Sequence, residues 1–95
     1  MTEKEKYIDD ITALLNNRDI LEALAEESAE LTQASLKLIR AIGLSNNKTP
    51  KCTNECFENL KEEIADVLMV LAVLGIELPN IENNPKWERW FNRLK

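Results

Sequence analysis

Apolar residues recur three and four positions apart in four stretches of this chain, and each stretch predicts a helix. Tyr7, Ile8, Ile11, Leu14 and Leu15 predict a first helix from about Glu3 to Leu15, ended by Asn16-Asn17. Leu24, Leu31 and Leu38 recur every seven residues, with Ala34 and Ile42 beside them. They predict a second helix from about Asp19 to Ile42, with Asp19 as N-cap or first-turn residue and Gly43 as C-terminal cap. The polar run Ser45-Asn46-Asn47-Lys48-Thr49-Pro50 makes Leu44 to Asn54 a loop. Thr53 or Asn54 then caps a third helix to about Ile76, built on Leu60, Ile64, Val67, Leu68, Leu71 and Leu74. From Val67 to Gly75 it is apolar nearly all round, which places it centrally in the core or in a subunit interface. After a break at Glu77-Leu78-Pro79-Asn80, Asn84-Pro85 supplies an N-cap and a first helical residue. The last helix carries Trp87, Trp90, Phe91 and Leu94.

These elements make the expected fold all-α: a single domain over residues 1–95, a small bundle of about four helices completed by oligomerisation. Two Gly and three Pro are too few for a turn-rich β fold. No internal repeat or low-complexity segment interrupts the pattern.

Two acidic pairs break the apolar stripes. Glu27 and Glu30 lie three apart on the second helix, and Glu63 and Asp66 three apart on the third, so each pair shares a face. Glu27 neighbours Ala23, Leu24 and Leu31, and Glu30 neighbours Ala34; Glu63 neighbours Leu60 and Val67, and Asp66 neighbours Met69 and Val70. Packed antiparallel, the two helices would gather four carboxylates. Burying them costs several kcal/mol per ion unless something pairs with them. The chain has no His, and no basic residue shares those stripes, so a bound cation is the simplest partner. All-oxygen donors suit Mg²⁺, with Mn²⁺ as the alternative; a ferritin-like di-iron site would need Glu-x-x-His motifs. Against this stands a bland explanation, since acidic helix faces are mostly solvated. Glu26 and Glu62 fall beside the stripes, as a solvated flank, partners of Lys37 or Lys61, or members of the site.

The net charge of −5 argues against a nucleic-acid polymer or a membrane surface as partner. No apolar run is long enough to span a bilayer, and the charged start lacks a signal-peptide core, so the expected location is cytoplasmic. Cys52 and Cys56, without other Cys or His, cannot close a structural zinc site and are expected to be reduced thiols near a helix start.

The pattern Glu26-Glu27-x-x-Glu30, then Glu63-x-x-Asp66, resembles the signature of the MazG-type all-α nucleoside triphosphate pyrophosphohydrolases. Asn84-x-Lys86-Trp87-x-Arg89-Trp90-Phe91 is similar to that family's Asn-x-Lys-Phe-x-Arg-Arg-Phe segment. The resemblance covers about Leu21 to Leu94. It implies a helical, Mg²⁺-dependent homodimer or homotetramer that cleaves a nucleotide substrate, (d)NTP, to (d)NMP and pyrophosphate. By position it makes Glu27, Glu30, Glu63 and Asp66 the metal ligands. Glu26 becomes a further ligand or base, with Glu27 beside it in the catalytic pair. Asn84, Lys86 and Arg89 become phosphate contacts. Trp87 is weighed separately, as a base-stacking residue or as core or interface packing. This chain departs from the pattern in three places: a long connection between Glu30 and Glu63, Trp87 where Phe is usual, and Trp90 in place of the second Arg. Phosphoribosyl-ATP pyrophosphohydrolase shares the acidic-helix logic and is a neighbouring alternative. A non-enzymatic helical interaction module is another. A divalent-ion buffer would want neutral oxygen ligands and a Gly-containing loop, neither of which occurs here.

Overall fold

The computed structural model describes residues 1–47 and 52–95. The part of the expected loop at 48–51 lies outside the described residues. The fold is all-helical, with four helices in the order α1 (Glu3–Leu14), α2 (Asn17–Ala41), α3 (Thr53–Val73) and α4 (Lys86–Leu94).

Local chemistry sets the helix starts. The Thr2 hydroxyl accepts the Glu5 N–H at 3.1 Å and the Glu5 carboxylate accepts the Thr2 N–H at 3.3 Å, a reciprocal capping box. Asn16 and Asp19 repeat it at 2.9 and 3.1 Å, so α2 starts earlier than expected, with Asn16 at the cap and Asp19 in the first turn. The cap of α3 is Cys52, whose sulfur accepts the Glu55 N–H at 3.4 Å, rather than Thr53 or Asn54. At α4 the cap position falls on Pro85 and the first helical residue is Lys86, one later than expected, although the Asn84 side chain accepts the Lys86 N–H at 2.8 Å.

Both long helices end alike. Gly43 (φ 81°) and Gly75 (φ 75°) adopt the left-handed conformation that glycine tolerates best. Leu44 N–H then reaches the Ile39 carbonyl and Ile76 N–H the Leu71 carbonyl, each at 3.1 Å. Gly43 caps α2 as expected. Gly75 stops α3 at Val73, three residues short of the expected Ile76.

The main packing is α2 against α3, with α1 lying on α3. The Thr53 hydroxyl donates to the Ala41 carbonyl at 3.4 Å, joining the end of α2 to the start of α3. The two helices therefore run antiparallel. Ile20, Ala34 and Cys56 are buried. The second half of α3 is not central in this chain's own core: Leu68 is 42% exposed and Met69 65%. On α1 only Ile8 and Ile11 are even partly covered, while Tyr7, Leu14 and Leu15 stay exposed. α4 packs against none of the other helices. No helix among the described residues is long and apolar enough to cross a membrane.

Ala34, on α2, is 1% exposed, and α2 packs on α3. Ala34→Leu should destabilise the chain by about 1–3 kcal/mol through overpacking. Urea denaturation followed by circular dichroism at fixed protein concentration would show the loss; an unchanged midpoint would mean the helices do not meet there.

Candidate metal centre

Antiparallel packing decides which acidic residues meet. Counting back from Ala41 to Glu30 and forward from Thr53 to Glu63 covers nearly the same length of helix, so the two pairs face one another. Glu27, Glu30, Glu63 and Asp66 each offer a carboxylate oxygen, and these four oxygens lie within 4.8 Å of one another. Glu27, Glu63 and Asp66 are half-buried and Glu30 is exposed. Oε2 of Glu27 and Oε2 of Glu63 are shielded from water and have no hydrogen-bond partner among the described residues.

The electrostatics follow. Removal from water raises the pKa of Glu27 above its ordinary 4.5; the neighbouring Glu30 carboxyl adds to this, then the charges of Asp66 and Glu63. Glu63 is raised for the same first reason, then by Glu30, Asp66 and Glu62. Nothing cationic enters the cluster from either helix. Lys61 is engaged with Glu58 at 3.3 Å, not with Glu62, and lies over the Phe57 ring at 5.0 Å. Glu26 and Glu62 are exposed beside the cluster.

The donor set fits a hard divalent cation. Oxygens on opposite sides of an ion with bonds of about 2.1 Å stand about 4.2 Å apart. Small side-chain rotations would therefore close four oxygens already within 4.8 Å around one ion. Such an ion would also satisfy the two orphaned oxygens, which no group among the described residues serves. Cys52 and Cys56 are free thiols used elsewhere, one as a helix cap and one in the core.

The tail residues form a separate feature. Ile81, Asn84, Lys86, Trp87 and Trp90 line an open cleft of about 230 Å³. Trp87 and Trp90 stack with ring centroids 6.3 Å apart, and the Trp87 indole N–H donates to the Ile81 carbonyl. Arg89 lies beyond it with Lys86, Asn92 and Arg93. This cleft and the carboxylate cluster share no lining residue, and within one chain α4 does not pack on α2 or α3. Ile81 is the residue the sequence did not single out: an isolated apolar position in a break has no periodicity to flag it.

The chain matches no protein-family model, no curated protein and no solved structure. The family resemblance therefore rests on the quoted residues alone.

Raised carboxyl pKa values have a definite sign in stability. The folded state binds these protons more tightly than the unfolded state, so their contribution is most favourable below pH 4.5 and is lost as pH rises through 4.5 toward the raised values. In EDTA, the melting temperature should fall over that window, and Glu63→Gln should reduce the fall. Added Mg²⁺ should restore stability increasingly from about pH 5 to about pH 8, because the ligands must be deprotonated. Scanning calorimetry with and without Mg²⁺ checks both slopes; a Mg²⁺ effect of equal size in Glu63→Gln would exclude the cluster as its origin.

Proposed function

We propose that this chain is a Mg²⁺-dependent nucleotide pyrophosphohydrolase of the MazG type. It would cleave (d)NTP to (d)NMP and pyrophosphate in the cytoplasm, as a homodimer or homotetramer. The observation that supports this most is the meeting of Glu27, Glu30, Glu63 and Asp66 within 4.8 Å, with two shielded oxygens left without partners among the described residues. A solvated acidic face would leave its oxygens to water. These are instead held inward, where they cost stability unless a cation is bound.

In this proposal Glu27, Glu30, Glu63 and Asp66 hold Mg²⁺, with Mn²⁺ as the alternative. Bound there, the cation supplies charge neutralisation at the phosphate oxygens and acidifies a water molecule. The chain's residues do the rest. Glu26, exposed next to the cluster, would accept the proton of the attacking water. As the water oxygen bonds to phosphorus, the bond to the departing pyrophosphate breaks. Lys86 and Arg89 would form charge-assisted hydrogen bonds to the leaving group, with Asn84 alongside. Trp87 presents a flat face worth about 1–3 kcal/mol if a base stacks on it. The cleft beside it, about 230 Å³, is on the scale of a base rather than a whole nucleotide.

The decisive experiment is pyrophosphate release from a panel of NTPs, dNTPs and phosphoribosyl-ATP, with Mg²⁺ and with EDTA. Wild type should release pyrophosphate only with Mg²⁺, and Glu63→Gln should lower kcat/KM by on the order of 100-fold or more. Turnover of phosphoribosyl-ATP alone would move the assignment to the histidine-pathway type of enzyme. Folded protein that releases pyrophosphate from none of them would leave a helical interaction module.

A further inference from the structure

The chain taken singly is under-packed. Its accessible surface is 7933 Å², about 2,300 Å² more than the roughly 5,600 Å² typical of a folded monomer of 10.9 kDa. Its radius of gyration is 17.1 Å, where a compact chain of this length has roughly 12 Å. The missing burial has the size that one subunit contributes to an obligate interface, which totals about 2,000–5,000 Å² over both partners.

Two unpartnered apolar surfaces account for much of it. One is on α4: Trp87, Trp90, Phe91 and Leu94 fall on a single face, all between 47% and 73% exposed. The other is a groove of two joined hollows, about 260 and 150 Å³, floored by α3 and walled by α1 and the start of α2. Ile11 and Met69 line both hollows, and Tyr7, Leu15, Ile20 and Val73 extend them. The lengths match: Tyr7 to Leu15 spans about 12 Å of helix and Trp87 to Leu94 about 10.5 Å, at 1.5 Å per residue.

Charge matches as well. Residues 86–95 carry four basic and one acidic side chain, net +3; residues 1–85 carry eight basic and sixteen acidic, net −8. On α4 the cations Lys86, Arg89 and Arg93 flank one edge of the aromatic face. The groove lies about one turn from the carboxylate cluster on both helices, since Ala23 precedes Glu27 and Val70 follows Asp66 by one turn. A cationic helix seated there would meet the field of those carboxylates.

We infer that α4 of a second copy of this chain docks its aromatic face into the groove between α1 and α3, so that each copy is completed by the other. The exchange covers the exposed second half of α3 and gives α4 the packing it lacks in its own chain. It is independent of whether the carboxylate cluster hydrolyses nucleotides, because its readout is association.

The test uses full-length chains. One tagged copy carries Cys52→Ser and Met69→Cys, and a differently tagged copy carries Cys52→Ser and Phe91→Cys; they are co-expressed and treated with a short bismaleimide. The expected result is a covalent dimer containing both tags, absent when either new cysteine is omitted. Trp87→Glu with Trp90→Glu on the donor side, or Tyr7→Glu on the groove side, should each weaken the dimer by at least about tenfold in Kd by light scattering on dilution. Circular dichroism should show that the variants keep their helices; for the α4 variant this is expected because α4 packs on no other helix of its chain. Three results would overturn the inference. One is a separate control chain carrying both Met69→Cys and Phe91→Cys that cross-links only within itself. Another is a dimer that forms without the mixed cross-link. The third is a dimer indifferent to both sets of substitutions.

Discussion

Everything distinctive in this structure depends on the antiparallel contact of α2 with α3. That contact has two opposed consequences. It covers apolar side chains, with Ala34 of α2 and Cys56 of α3 among the buried ones. Midway it forces Glu27 and Glu30 against Glu63 and Asp66. The first stabilises the pair and the second strains it, because four like charges share a partly dehydrated space. The geometry that makes the chain fold is the geometry that gathers the four carboxylates.

This tension explains why the orphaned oxygens matter more than the number of acidic residues. Exposed carboxylates on helices are solvated and say little. A carboxylate oxygen turned away from water with no donor within reach carries the full cost of its lost hydration. Glu27 and Glu63 both have such an oxygen, one from each helix. The two raised pKa values express the same cost in protons, and a proton and a divalent cation are competing ways to relieve it.

The chain also spends little of its apolar surface on itself. Among the described residues only Ile20, Ala34 and Cys56 are buried, while many large apolar side chains face outward on α1, α3 and α4. A small domain can hold such a surface only if something else covers it. The opposite charge of the α4 segment and of the three preceding helices makes a second copy a well-matched cover.

Much of this was legible in the residues themselves. Helical periodicity marked all four helices, and Gly43 and Asn84-Pro85 marked an end and a start, because these signals act over one or two turns. The i, i+3 spacing showed that Glu27 shares a face with Glu30, and Glu63 with Asp66. Asp19 took the first-turn place expected of it, with Asn16 at the cap; the errors were local competitions, in which Cys52 won the cap of α3 from Thr53 and Asn54, and Gly75 ended α3 before Ile76. Spacing along one helix carries no information about distance across two. That the pairs meet within 4.8 Å, that one oxygen of Glu27 and one of Glu63 lose their partners, and that α4 stands off from the other three helices were decided only by tertiary packing. Such contacts join residues far apart in sequence, and the crossing of helices, not their periodicity, sets them.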